Sequence, residues 1–448
     1  MCESSCVARR SLRSSHCAGA SAKAPDTQPR GALRARSSEA VASVPKKQTP
    51  RGIPRQIDVC VDATSWSNER GFGRFTRKLL GALAVRNTGF HYTLLFDRVP
   101  NDPLPEGVNV ASALTQRTLG ESAVGASSRS MPYLWKMARL AQAAKFDVFF
   151  FPTLYSYFPL FSNVPCVVCY HDTTAERLPK LLFPTLVNRS MWRAKAALAR
   201  LQTTRAMTVS QSSAADLENI LRFPRDRIDV VTEAADPVFR VLDDPAVASA
   251  ERARRGIPAD ATLLVHVGGM NPHKNVLGLL RAMPAIVAAH PDVHLALVGD
   301  TSGRGFWDDV GALERFVADH PPLSAHVHFT GYINDASLCA LLNGAYALAF
   351  PSLWEGFGLP AVEAMSCGVP VLASRRGSLP EVVGDAGLYF DPEDPAAIAA
   401  TALRLLDDPA LRERLSQLAV ARAARYSWDR AAELAELSFR RALEDRRR

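Results

Sequence analysis

Pro351–Gly368 reads P-S-L-W-E-G-F-G-L-P-A-V-E-A-M-S-C-G and follows an apolar, strand-like run from Tyr346 to Phe350. It carries two carboxylates, Glu355 and Glu363, with seven residues between them. Gly356 and Gly358 flank Phe357, and glycines so placed let backbone amides approach a ligand with no Cβ in the way. Leu359 and Pro360 come next; proline suits the first turn of a helix, where its missing N–H leaves nothing unpaired. The segment predicts strand, glycine-rich loop and helix N-terminus, the geometry that receives a phosphate-bearing ligand at the end of a parallel strand. Glu355 falls in the loop and Glu363 about one turn into the helix, so the two can address different hydroxyl-bearing parts of one ligand. A lone glutamate would read as a solvated helix-face charge. A pair set among Trp354, Phe357, Leu359 and Pro360 does not.

Upstream, Leu263–Val267 predicts a strand, followed by Gly268-Gly269-Met270-Asn271-Pro272-His273-Lys274-Asn275 and an apolar helix from Leu277. Lys274, beside a glycine turn at a helix start, is placed to neutralise a diphosphate. Further strands are expected at Leu295–Gly299, Val327–Thr330 (leading to Gly331 and Tyr332) and Val369–Ala373. Strands alternating with helices at this spacing mean a mostly parallel sheet.

The N-terminal half opens with a strand at Ile57–Asp62 and a loop ending in Gly71-Phe72-Gly73-Arg74-Phe75, from which a helix runs on through Leu83. Strand, glycine-rich loop and helix again make a phosphate-approach geometry, although a plain tight turn reads the same way. Residues 148 to 170 carry no charge. Pro152, Pro159 and Pro165 would break a spanning helix, so the segment predicts strands at Phe146–Phe151 and Val164–Tyr170. The second delivers His171 and Asp172 at its C-terminal end, where sites of α/β folds lie. A strand is expected at Ile228–Val231 and a helix from Ser213. From Arg177 to Arg205 there are seven basic residues and no acidic one, interleaved with Leu181, Leu182, Phe183 and Trp192. Two readings stand: a solvated helix face over the core, or a patch that rests on anionic lipid at a membrane surface.

These motifs, in this order, resemble glycosyltransferase family 4, retaining enzymes of the GT-B fold, and within it bacterial mannosyltransferase-like enzymes of polysaccharide assembly. The resemblance covers residues 57 to 445 and is denser in the second half. It implies an α/β chain with two Rossmann-like parallel-sheet domains facing across a cleft, and a C-terminal helix, around Tyr426-Ser427-Trp428, crossing back to the first domain. The expected boundaries are 56–243 for the acceptor-side domain, 244–425 for the nucleotide-sugar domain and 426–448 for the returning helix. On the resemblance Glu355 contacts the donor sugar and Glu363 the ribose. The Gly71, Gly73, Arg74 loop faces the donor phosphates. Gly269, His273 and Lys274 belong to the diphosphate turn, and Gly331 and Tyr332 border the base. Gly356, Phe357, Gly358 and Leu359 complete the donor loop. His171 lies beside the reacting centre, with Asp172 supporting it or the backbone. Many members carry Arg where His273 stands, which leaves a weaker, pH-dependent second cation. Glu233-Ala234-Ala235-Asp236-Pro237 resembles the entry to the interdomain linker.

Charge and cysteines bound the partners. Residues 1 to 56 hold eleven Lys or Arg and three Asp or Glu, which accounts for the whole net charge of +8. The other 392 residues carry 42 of each sign, so the pI offers no argument for nucleic acid. Residues 1–55, rich in Ser, Ala, Arg and Pro with no apolar period, are expected to be a disordered basic tail, dispensable in preference to the organellar transit peptide or non-native upstream start that the composition also fits. Cys2, Cys6 and Cys17 fall in it. The C-x-x-C of Cys166 and Cys169 lies inside a strand, on opposite faces, and no second pair has zinc spacing; the cysteines are expected to be reduced, in a cytoplasmic protein.

The chemistry implied is retaining transfer of a hexose, mannose favoured and GDP-mannose the donor, to a glycan or lipid-linked glycan, with UDP-glucose as the rival. Lys274 (catalytic together with His171 and Glu355), helix N-termini and glycine amides would hold the leaving diphosphate in place of a metal. No D-x-D site is visible, and no metal or other cofactor is expected beyond the nucleotide-diphosphate sugar itself. No carboxylate is evidently placed as a nucleophile, which favours same-face attack with the leaving phosphate taking the acceptor's proton. A GT-B-fold sugar-nucleotide epimerase and a non-catalytic nucleotide-sugar binder are the alternatives. The E-x7-E spacing argues against the first, and Lys274 together with both glutamates against the second. A place in the cytoplasm, peripheral at the inner membrane face, fits this chemistry.

Overall fold

The computed structural model describes residues 56–68, 71–112, 131–143, 145–183, 185–301 and 309–446. The basic tail and its three cysteines lie outside these.

Two parallel sheets form. The first takes β1 (Ile57–Asp62), β2 (Phe90–Phe96), β3 (Asn109–Ser112), β4 (Val148–Phe151), β5 (Cys166–Cys169), β6 (Arg205–Thr208) and β7 (Ile228–Val230) in the order β3-β2-β1-β4-β5-β6-β7. The second takes β8 (Thr262–Val267), β9 (Val293–Val298), β10 (Val327–Gly331), β11 (Ala347–Phe350), β12 (Val371–Ser374) and β13 (Gly387–Phe390) in the order β10-β9-β8-β11-β12-β13. Every pairing is parallel. The central strands V-F-F-F, C-V-V-C and A-L-A-F are buried at every position, as strands covered by helices on both faces must be. Cys166 packs into one core and Cys169 into the core on the other face, and both are free thiols.

The uncharged stretch 148–170 resolves into β4, a short 3-10 turn at Leu154–Ser156 and β5. Among the described residues no helix is long and apolar enough to cross a membrane. The expected strands all form, most with their ends moved by one or two residues; β2, β3, β6 and β13 were not expected. The Gly71–Phe75 segment differs from its reading as a loop. The helix starts at Gly71 and runs to Ala84, so both glycines sit in its first turn. A Cβ at Gly73 would lie 1.9 Å from the Asn68 carbonyl oxygen. The preceding loop folds over the helix start, and only glycine leaves room for it.

The C-terminal helix Trp428–Asp445 returns to the first sheet's domain. Phe439 packs edgewise on Phe90 and against Phe150, with centroids at 6.1 and 5.2 Å. Arg441 and Arg205 pair with Asp229 and Asp445 at 2.7 Å each.

Candidate active site

In both sheets the strand order reverses beside the first strand, between β1 and β4 and between β8 and β11. Such a switch point opens a crevice at the C-terminal ends of the strands. The turn after β8 and the loop after β11 share that crevice in the second domain, and Asn275 ties them together. Its side chain donates to the Pro351 carbonyl at 3.2 Å and the Pro392 carbonyl at 2.6 Å, while its backbone is left-handed at φ 54°.

Lys274 and Glu355 meet here, Nζ to Oε1 at 2.7 Å. Burial alone would raise the Glu355 carboxyl, but the Lys274 ammonium outweighs it and holds the group below the ordinary carboxylate value. His273 is not the second cation expected of it near neutral pH. Burial, with Lys274 alongside, lowers it to about 4. Gly269 lies in the same turn, with the Asn271 side chain against it.

The loop after β11 is held from behind. Ser378 donates from Oγ to the Glu355 and Phe357 carbonyls at 3.1 and 2.8 Å. Gly377, at φ 62°, leaves only 2.7 Å between a Cβ and the Glu355 carbonyl oxygen. Gly358 caps the helix Leu359–Ser366 in the left-handed region, at φ 97°. Phe357 and Leu359 are buried, Phe357 edge-on to Tyr426 at 5.3 Å.

Glu363 lies on that helix, 2% exposed. Its partner comes from across the cleft: Arg74 of the first domain reaches both Glu363 and Asp335. Burial pushes the Glu363 carboxyl up to about 7, with Arg74 pulling against it and Asp335 adding repulsion. Burial also disfavours the Arg74 charge, but the two carboxylates outweigh it. Gly331, at φ 70°, ends β10 and turns the chain toward Asp335, with Tyr332 exposed between them.

The first domain presents His171 and Asp172 after β5. Nε2 of His171 lies 2.9 Å from the Pro152 carbonyl and Nδ1 lies 3.3 Å from Glu233. Burial opposes protonation of this ring, yet the Cys169 sulfur and the Glu233 carboxylate outweigh it and raise the ring well above its usual value. An imidazolium donating to both acceptors fits this geometry, so neither ring nitrogen turns into the cleft in this arrangement. Asp172 accepts from the Thr174 amide at 2.8 Å and so orients the backbone.

The two domains touch at Gly356. A Cβ there would lie 1.9 Å from the His171 carbonyl oxygen, and the Gly356 carbonyl accepts from Ser210 and Ser213 hydroxyls at 2.6 and 3.1 Å. The same helix N-terminus holds Glu381, through the Gln211 and Ser212 amides at 2.9 and 2.8 Å, where the helix dipole favours an anion. Arg177 stacks on Trp354 at 3.7 Å. Among the described residues no group of three or more His, Cys, Asp or Glu is arranged to hold a metal ion.

The sequence-predicted residues gather around one cleft in two groups, Lys274 with Glu355 and Arg74 with Glu363. Sequence reasoning missed Asp335, Glu233, Glu381, Ser210, Ser213 and Ser378. Ser378 had a signal: Gly377-Ser378-Leu379-Pro380 after β12 repeats the glycine, leucine, proline pattern of Gly358-Leu359-Pro360 after β11. Asp335 and Glu233 had none, because their partners lie more than sixty residues away in sequence.

The Glycosyltransferase Family 4 profile matches residues 70–238, and that of Glycosyl transferases group 1 matches residues 247–422. The chain is similar to the O-antigen chain mannosyltransferase B of Escherichia coli, 37% identical over 50% of this chain and 57% of the relative. It is also similar to the D-inositol 3-phosphate glycosyltransferase of Frankia alni, 37% identical over 49% of this chain and 54% of the relative. The chain thus spans a little over half the length of the curated relatives it matches. In structure it resembles the sucrose-phosphate synthase of Thermosynechococcus elongatus, with TM-score 0.68 and 22% identity over 86% of this chain and 99% of that one. With both domain profiles matched in order and the two parallel-sheet domains in place, the chain belongs to glycosyltransferase family 4 and has the GT-B fold.

Proposed function

We propose that the protein is a retaining hexosyltransferase moving mannose from GDP-mannose to a glycan or lipid-linked glycan in cell-surface polysaccharide assembly. The observation that carries the donor site is the Lys274–Glu355 contact of 2.7 Å at the ends of adjacent strands. Breaking a sugar–phosphate bond leaves a diphosphate anion and an oxocarbenium-like sugar. Lys274, the amides of the Gly356–Gly358 loop and the helix N-terminus behind it stabilise the first. Glu355, ionised beside Lys274, faces the second. Glu363 receives the ribose hydroxyls, and Arg74, released from it, turns to the donor phosphates. The leaving phosphate takes the acceptor's proton on the same face of the sugar, and His171 positions rather than abstracts. None of these steps calls on a metal.

Mannose is favoured because the Escherichia coli relative carries that activity in its name; UDP-glucose is the rival donor. A lipid-linked acceptor would meet the enzyme at the inner membrane face. The test is release of nucleoside diphosphate from GDP-mannose and from UDP-glucose, with and without a lipid-linked glycan. Turnover with GDP-mannose alone of the two supports the reading. Turnover with UDP-glucose alone replaces the donor, and turnover with neither removes the assignment.

A further inference from the structure

The helix Leu186–Gln202 is built inside out. An ordinary surface helix buries its large apolar residues and shows its small and polar ones to water. Here the buried positions are Ala196 and Ala199. The large residues face outward: Leu201 is 80% exposed, Leu186 75% and Val187 66%, with Met191 and Leu198 also exposed. Val187, Met191, Ala194, Leu198 and Leu201 recur at the three- and four-residue spacing that makes one continuous stripe. The other side of the helix is well fixed. Trp192 donates to Glu176 at 2.7 Å and stacks on Phe183 at 5.5 Å. The Gln202 side chain holds both backbone groups of Leu160 at 3.0 and 2.8 Å. The next residue, Phe161, is exposed and stacks on exposed Trp135 at 5.2 Å. The patch therefore continues past the end of the helix as an aromatic pair.

Its charge has one sign. Arg177 and Arg205 leave the basic run, the first committed to Asp216 and Trp354, the second to Asp229 and Asp445. Lys180, Arg193 and Arg200 remain exposed along the stripe, and Arg200 donates to the Arg222 carbonyl, not to a carboxylate. No acidic residue occurs between Arg177 and Arg205. An outward apolar stripe edged by cations matches a surface that is apolar within and anionic at its face. The long basic side chains can lay their stems along the stripe and keep their charges at the headgroups.

We infer that the outward face of the Leu186–Gln202 helix, with Trp135 and Phe161, is the surface by which this chain rests on an anionic lipid bilayer. This deepens the proposed function and rests on its lipid-borne acceptor. The short helix Pro179–Leu182, one turn before the stripe, packs on the turn that carries Lys274, so the surface starts at the rim of the cleft. An acceptor held in the membrane plane would meet the donor site at that rim.

Vesicle flotation of the full chain tests it. Vesicles of phosphatidylcholine mixed with phosphatidylglycerol should carry the protein up, and phosphatidylcholine alone should carry far less. Leu198→Asp and Leu201→Asp should each lower the partition coefficient about tenfold or more, the effect of withdrawing one leucine from an apolar environment. Arg193→Glu with Arg200→Glu should abolish the preference for the anionic lipid. Circular dichroism and thermal melting should be unchanged for these exposed positions. Wild type that stays down with anionic vesicles would overturn the inference. So would flotation unaffected by Leu201→Asp, which would assign binding to another segment such as the basic tail. A wild-type dimer in sedimentation velocity that Leu201→Asp converts to monomer would give the face to a second copy and overturn it as well. Because no nucleotide enters the assay, its failure is separate from failure of the transferase reading, which the turnover assay decides.

Discussion

Arg74 reaches across the interdomain cleft to Glu363, the carboxylate proposed to hold the ribose, and takes Asp335 with its other nitrogen. The pair joins two segments separated by 289 residues. It also places a group that titrates near neutrality in the proposed donor site, since burial pushes Glu363 to about 7.

A ribose hydroxyl donates to a carboxylate better than to a carboxylic acid. Nucleoside diphosphate affinity should therefore fall as pH drops through about 7, where Glu363 takes up its proton. Calorimetric titration across this range should show the decline in wild type and a flat profile in Glu363→Gln. The same protonation bears on folding. A carboxyl whose folded value lies above its unfolded one binds its extra proton between the two, so its contribution to stability falls as pH rises from the ordinary carboxylate value of 4.5 to about 7. Denaturant titrations should show that slope in wild type and a smaller one in Glu363→Gln.

Removing Arg74 leaves Glu363 buried without its counter-ion. Its protonation midpoint should rise further, so Arg74→Met should bind nucleotide more weakly than wild type at neutral pH and recover as pH is raised. An Arg74→Met profile superimposable on wild type would mean that the pair does not form in solution.

At Gly356 the backbones of the two domains come together. A methyl group there meets the His171 carbonyl at 1.9 Å, and backbone must move to admit it. Gly356→Ala should lower turnover on the order of 100-fold, the cost of a displacement of about an ångström in a positioned site. Nucleotide affinity, assigned on this reading mainly to the second domain, should change much less. Steady-state kinetics beside calorimetry separates the two.

Lys274 and Glu355 should part in their effects. Glu355→Ala should lower turnover more than nucleotide binding if it acts at the sugar, as proposed. Lys274→Met leaves a buried carboxylate unpaired and should weaken nucleotide binding as well as cost stability, by roughly 3–5 kcal/mol for breaking a buried pair. Denaturant unfolding of both variants beside their turnover checks this.

The strand ends, the glycines and the E-x7-E pair were legible because they are local: a buried parallel strand must be apolar throughout, and a helix that opens on Gly358 and Pro360 announces itself. Lys274 was found for the same reason. The sequence did not reveal that Arg74 would spend its charge on Glu363 and Asp335, that His171 would lie between Pro152 and Glu233, or that His273 would be held neutral. Each depends on what burial brings alongside from a distant segment. The helix Leu186–Gln202 shows the same limit. Its basic and apolar residues were visible, but which of them face water follows only from how Ala196 and Ala199 pack.

On the proposed function Glu363, Glu355 and Lys274 form a nucleotide-sugar site. Calorimetric titration of wild type and Glu363→Ala with GDP and with UDP, in buffer containing EDTA, tests it most directly. The expected result is binding of one nucleotide, GDP on the favoured reading, weakened in Glu363→Ala by about 1–3 kcal/mol, the loss of a charged hydrogen bond. No binding of either nucleotide, or equal binding by wild type and Glu363→Ala, would contradict it.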